Sequence, residues 1–155
     1  MFKRKIINEL TAWKNSTGKK KALVIKGLRQ IGKTYSVCAF AKENYENVIY
    51  INFKNDSSAK KVFAGDFNVD RITLDLSALM PKVRFVPYKT VLIFDEVQEC
   101  SDARASIKEF MLDGRYDIIC TGSLLGIKGY NKKPNRGVPT GFEHIVYMKP
   151  MDFEE

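Results

Sequence analysis

The sequence predicts an α/β protein, a sheet of about five mostly parallel strands with helices on both faces. Three observations carry this. Short, continuous apolar runs (Ala22 to Ile25, Asn47 to Phe53, Lys89 to Phe94, Asp117 to Cys120) read as strands buried on both sides. Stretches of helical character separate them, as crossovers of a parallel sheet require. Glycines, acids and hydroxyls follow the strands directly, at the sheet edge where open α/β proteins bind ligands.

In chain order, Phe2, Ile6, Ile7, Leu10 and Trp13 share one face at helical spacing and predict an opening amphipathic helix over 1–15. Asn15 to Lys21 (NSTGKKK) is a polar, glycine-containing linker. The first strand, Ala22 to Ile25, is followed by a helix from Lys33 to Asn44, and NVIYINF is rich in the β-branched and aromatic residues of a second strand. Asp56 to Met80 reads as one or two helices split near Gly65 to Asp70. Lys89 to Phe94 is the strongest strand signal and delivers Asp95 and Glu96. Ala103 to Asp113 is helical and stopped by Gly114, and a fourth strand leads into Thr121-Gly122-Ser123. A loop then runs to about Gly141, and His144 to Met148 forms a fifth strand. The nucleotide-binding sheet thus spans 22–150 within a single unit, 1–155.

At 155 residues the chain fits one domain with one core. No apolar run approaches the ~20 residues of a membrane span, and Asn8 and Glu9 interrupt the apolar stretch behind the basic start, so no secretory signal is read. These features, with three scattered cysteines, point to the cytoplasm. Cys38, Cys100 and Cys120 form no C-x-x-C pair and His144 is the single histidine, which excludes a zinc site. Cys38 and Cys120 read as small core residues. Ten of the 26 Lys/Arg but one of the 18 acids precede residue 34, so the whole basic excess lies at the front. Lys3, Arg4, Lys5, Lys19, Lys20 and Lys21 form a candidate weak nucleic-acid surface, or else solvate the first helix and the linker.

Gly27-Leu28-Arg29-Gln30-Ile31-Gly32-Lys33-Thr34 satisfies G-x-x-x-x-G-K-[ST] at every specified position, between a strand and a helix. Its glycines let backbone N–H groups wrap a phosphate, and the helix start adds unpaired donors and a positive dipole end. Lys33 would neutralise the β/γ-phosphates and Thr34 would offer a hydroxyl to Mg²⁺, with Tyr35 completing the nucleotide-contacting segment. Arg29 either serves catalysis or faces solvent. The pattern implies the three-layer P-loop NTPase sandwich.

Val91 to Phe94 followed by Asp95-Glu96 has the form of a Walker B strand. Asp95 is expected to hold Mg²⁺, and Glu96 to orient and deprotonate the attacking water. The 62 residues from Lys33 to Asp95 suit ATPases with an extra strand between the P-loop and Walker B strands. Ser123, or alternatively Thr121, stands where such ATPases sense the γ-phosphate, and Gln98 either helps to place the water or lies on the surface. Asn131-Lys132-Lys133-Pro134 begins like the guanine-binding N-K-x-D motif, but proline replaces its aspartate, so ATP is the expected nucleotide.

GLRQIGKT, NVIYINF, LIFDEVQEC, TGSLLG and VPTGFEHIVYMKPMDFEE together resemble a prokaryotic family of AAA-type ATPases. Its members usually carry a C-terminal domain of unknown function that looks like a nuclease fold. The resemblance covers nearly the whole chain. It implies nucleotide-binding roles for Lys33 and Thr34, the Walker B pair for Asp95 and Glu96, and the first sensor position for Ser123. It further implies ATP, ADP and Mg²⁺ as ligands, with a homo-oligomer as one form of assembly. Arg136, in the loop before the fifth strand, is then a candidate arginine finger acting on a neighbouring subunit. In the family a segment like MDFEE opens a helical lid and the C-terminal domain, so the chain is expected to be an ATPase core without them.

Overall fold

The computed structural model describes residues 2–27, 32–123 and 141–148. Helix α1 (Phe2–Asn15) precedes strand β1 (Ala22–Gly27), helix α2 (Lys33–Asn44) and strand β2 (Asn47–Asn52). Helices α3 (Ser57–Phe63) and α4 (Val69–Leu79) lead to β3 (Thr90–Asp95). A 3-10 turn (Val97–Glu99), α5 (Ser101–Ala105) and α6 (Ile107–Asp113) follow, then β4 (Asp117–Ser123) and β5 (Glu143–Met148).

The five strands form one sheet in the order β2-β3-β4-β1-β5, and every pairing is parallel. β4 therefore separates β1 from β3, the extra strand that the spacing from Lys33 to Asp95 predicts. Strand alternation divides the core into two layers. Leu23, Ile25, Val91, Ile93 and Ile119 pack with Ile6 and Leu10 of α1 and Val37, Phe40 and Ala41 of α2. Ala22, Val24, Ile49, Ile51, Leu92, Phe94 and Ile118 pack on the other side against α3 to α6. Phe53, Phe63 and Phe94 tie that second layer together edge to face, with ring centroids 5.4 to 5.5 Å apart.

Most predicted elements lie where the residue pattern places them. α3 and α4 are the two helices of 56–80, each capped by its own polar side chain, Asp56 on Ala59 N–H and Asn68 on Arg71 N–H. The single helix expected over 103–113 is instead two short helices that meet at Ser106. The Ser106 hydroxyl donates to the Ala103 carbonyl at 2.7 Å, a local bond that competes with helix continuation. Cys120 is fully buried, but Cys38 is only half-buried, because its position on α2 faces the rim of the core. Cys100, not singled out by its sequence context, is buried. No helix among the described residues is long and apolar enough to cross a membrane.

Candidate functional site

The strands end together at the sheet's carboxyl edge, where β1 to β4 finish on Gly27, Asn52, Asp95 and Ser123, while β5 finishes on the buried Met148. Gly27 closes β1 and is the register partner of Ser123, which closes β4. Asp95 closes β3 opposite Asn52 of β2. Gly32 stands before α2 with φ 87°, a left-handed conformation that a side chain resists, and it turns the chain into the helix. Lys33 is buried and its ammonium donates to the Gly27 carbonyl at 3.4 Å, folding the lysine back over the start of the loop.

Asp95 is the hub of this edge. It is 6% exposed and accepts from three hydroxyls. Thr34 Oγ1 lies 3.2 Å from each carboxylate oxygen, Thr121 Oγ1 lies 2.5 Å from Oδ1, and the Tyr50 hydroxyl donates to Oδ2. Partial burial, reinforced by the hydrogen bond to Asp95, pushes the Tyr50 phenol above its ordinary pKa, so it stays a donor. Cys38 is also pushed up, by burial first and then by the charge of Asp95, which makes it a poor nucleophile. Thr34 and Asp95 supply hard oxygen donors from two different elements within one hydrogen-bond length, a set chemically suited to Mg²⁺.

Glu96 follows with φ 55° and ψ 48°, a left-handed backbone at a residue other than glycine. The turn brings Gln98 back, so that its Nε2 donates to Glu96 Oε1 at 2.5 Å. The Gln98 amide lies against Gly122, where a Cβ would stand 2.8 Å from Gln98 Oε1.

The structure thus brings together Gly27, Gly32, Lys33, Thr34, Asp95, Thr121 and Ser123 at one edge, with Glu96 next in chain. Thr121, the alternative to Ser123, is the one hydrogen-bonded to Asp95, while Ser123 is buried beside Gly27. Tyr35 is 64% exposed. Leu28, Arg29, Gln30, Ile31, Arg136 and the stretch Asn131 to Pro134 lie outside the described residues. Tyr50 was not singled out from sequence. The signal available was a tyrosine in the strand flanking the acidic pair, which carries meaning only once β2 is known to lie beside β3.

Part of the basic front is engaged within the fold. Lys20 forms an ion pair with Asp117 at the start of β4, and Lys19 lies over the Phe142 ring with its ammonium 3.9 Å from the centroid. Both contacts sit at the amino ends of the strands, across the sheet from Asp95.

An all-parallel sheet of this order, with Gly27, Gly32, Lys33 and Asp95 gathered at its carboxyl edge, defines a P-loop NTPase. The chain belongs to the AAA domain family, whose model matches residues 19–155 and leaves α1 outside the match. A search of curated proteins finds no match. Among solved structures, the chain is similar to the Aeropyrum pernix Orc1 protein in complex with DNA, with a TM-score of 0.55 at 12% identity. That alignment covers 97% of this chain and 45% of the other. It is similar also to the Thermotoga maritima RuvB Holliday junction branch migration motor, with a TM-score of 0.54 at 14% identity, over 97% of this chain and 44% of the other. At such identities the likeness shows the fold, and the chain spans under half the length of either protein. Family and fold together support a nucleotide-binding, ATPase-type function.

Proposed function

We propose that this domain binds Mg·ATP at the carboxyl edge of its sheet and hydrolyses it to ADP and phosphate. The observation that carries this reading is the 3.2 Å approach of Thr34 to both oxygens of Asp95, which joins the phosphate-loop helix to the acidic strand. Bound Mg²⁺ would be held by Thr34 and Asp95 and would neutralise phosphate charge. Lys33 binds the β/γ-phosphates in this reading, and Gly27 to Gly32 wrap them. Thr121 and Tyr50 keep the Asp95 carboxylate in place. Glu96 orients the attacking water and takes its proton, which a hydrolase needs because its nucleophile is water. In this reading Ser123, beside Gly27, contacts the terminal phosphate.

Two variants of the intact protein test the reading. Lys33→Ala is expected to weaken Mg·ATP binding beyond detection in calorimetric titration, since the charge facing the phosphates is gone. Glu96→Gln is expected to retain binding and lose about 10²–10⁴ in turnover, because an amide cannot take a proton from water. Unchanged affinity in the first variant would show that the loop holds no phosphate. Wild-type turnover in the second would move the base elsewhere. Tight binding with no phosphate release by the wild type would identify a nucleotide-gated binding module instead of a hydrolase.

A further inference from the structure

We propose that Gln98 is the positioning residue for Glu96, and that Gly122 is glycine in order to make room for it. The inference rests on the proposed role of Glu96 and adds to it the means by which that carboxylate is held.

The contact has one workable polarity. An ionised carboxylate accepts hydrogen bonds and cannot donate them, so the amide must turn its NH₂ towards Glu96 and its oxygen away. Gln98 Nε2 donates to Glu96 Oε1 at 2.5 Å. The amide oxygen is then driven against the end of β4, where it is buried and has no hydrogen-bond partner among the described residues. The space it enters exists because residue 122 lacks a Cβ. An added Cβ would stand 2.8 Å from Gln98 Oε1, well inside contact distance. Val97, between the two residues, is buried in the core and also faces Gly122, which anchors the turn on β4.

Three locally unfavourable choices coincide here. Glu96 takes a left-handed backbone that costs any residue with a Cβ. Gln98 keeps a buried acceptor without a hydrogen-bond partner among the described residues, although the residue as a whole is half-buried. Gly122 lies within a strand, where glycine has neither side chain to pack nor favourable entropy. Each is explained by the same contact. The left-handed turn aims residue 98 back at residue 96, and the amide oxygen and the glycine accommodate each other on its far side. Local cost concentrated at a site that the rest of the fold enforces is the pattern expected of a functional constraint. The reading also gives two successive residues near the end of β4 separate roles. Thr121 acts on Asp95, and Gly122 acts, through Gln98, on Glu96.

The test is steady-state ATP turnover by the intact protein, with nucleotide affinity and thermal unfolding measured in parallel. Gln98→Met keeps the length and loses the donor. It is expected to lower kcat by about 10–100-fold, the range for removing a partner that orients a functional group, while KM and ATP affinity change by less than about 2-fold. Gly122→Ala is expected to give the same split, because the methyl displaces the amide. In a Gln98→Ala background the Gly122→Ala change should add less than about 2-fold, since nothing remains to be displaced. Wild-type kcat in Gln98→Met, alongside an inactive Glu96→Gln, would overturn the inference and leave the proposed hydrolysis standing. An equal cost of Gly122→Ala in both backgrounds would overturn the link between Gly122 and Gln98. Full activity of Glu96→Gln, or no turnover by the wild type, would remove the reading of Glu96 and this inference with it.

Discussion

The two edges of the sheet treat their acids in opposite ways. At the amino edge, Asp117 begins β4 and takes the ammonium of Lys20 together with the hydroxyl of Tyr45, and Glu143 begins β5 and takes both prongs of the Arg104 guanidinium at 2.7 and 2.8 Å. At the carboxyl edge, Asp95 is met by the hydroxyls of Thr34, Tyr50 and Thr121. Hydroxyl dipoles orient a carboxylate without cancelling its charge, whereas a guanidinium does both. The acids of the amino edge are therefore used up in joining elements, and the acid of the carboxyl edge keeps a negative charge that a cation can answer. The similar shelter of the Glu143 side chain and of Asp95 thus conceals two different purposes, which substitutions can separate.

The largest effect on stability is expected at the amino edge. Glu143→Ala leaves the Arg104 charge buried without its carboxylate, the two side chains being 5% and 6% exposed. Removing one member of such a pair costs about 3–5 kcal/mol. Against the roughly 5–15 kcal/mol that holds a domain folded, that loss should lower the denaturation midpoint strongly. Nucleotide affinity of the folded fraction should stay near wild type, because Glu143 begins its strand at the amino edge and Asp95 ends its strand at the carboxyl edge. Equilibrium unfolding in urea, with calorimetric titration below the transition, measures both quantities. A Glu143→Ala variant as stable as wild type would show that the pair holds nothing together, and the contrast between the edges would fail.

How much of this was legible in the sequence follows from the range of the interactions involved. Strand and helix positions depend on residues a few places apart, and the apolar runs, the Asp56 and Asn68 caps and Gly114 at the end of α6 all write themselves locally. The phosphate loop and the acidic pair are legible for the same reason. Each is a contiguous chemical pattern. Tyr50 on Asp95 and Arg104 on Glu143 are not, since they join residues 45 and 39 positions apart and depend on strand order. β2 must lie beside β3, and β5 beside β1, before either pair exists. Thr121 against Ser123 is a finer case. Both are hydroxyls at the end of one strand, two residues apart and hence on the same face, so alternation cannot choose between them. What distinguishes them is which neighbour each reaches, Asp95 of β3 or Gly27 of β1, and that is set by their height along the sheet.

At the carboxyl edge, removing an orienting hydroxyl should sharpen the contrast from the other side. Thr121→Val keeps the shape of a β-branched residue and deletes the donor to Asp95 Oδ1. Its expected signature is the reverse of Glu143→Ala, with stability changed by about 1 kcal/mol and affinity for Mg·ATP lowered by about 10–100-fold. Tyr50 is 39% exposed, so Tyr50→Phe should move affinity in the same direction by a smaller factor, because solvent can replace its hydroxyl. Titration with Mg·ATP and with ATP in chelator separates a defect in the metal site from one in the phosphate loop. A loss of affinity that persists equally without Mg²⁺ would place Thr121 outside the metal-holding set.

The smallest effect concerns the basic front, where the amino edge has already engaged part of the charge. Of Lys3, Arg4, Lys5, Lys19, Lys20 and Lys21, Lys20 is committed to Asp117 and Lys19 lies over Phe142. Each phosphate neutralised on duplex DNA contributes about −0.9 to the slope of log affinity against log salt. With those two lysines engaged, the slope for the isolated front should be about −3.6 or shallower, and binding at physiological salt should be too weak to follow. Trp13 does not offer a stacking platform, because its ring packs with the α1 and α2 layer and its Nε1 donates to the Lys21 carbonyl at 2.8 Å, so single strands should gain nothing over duplex. Fluorescence anisotropy with labelled duplex and single-stranded DNA, from low to physiological salt, reads both expectations. Asp117→Asn supplies the internal control. Freeing Lys20 should steepen the slope by about one contact if the lysine was held back by its ion pair. A slope near −5.5 in the wild type would mean that all six charges reach phosphates, and that the ion pair with Asp117 yields to the nucleic acid. The amino edge would then be a binding surface, and the division of labour between the two edges would have to be redrawn.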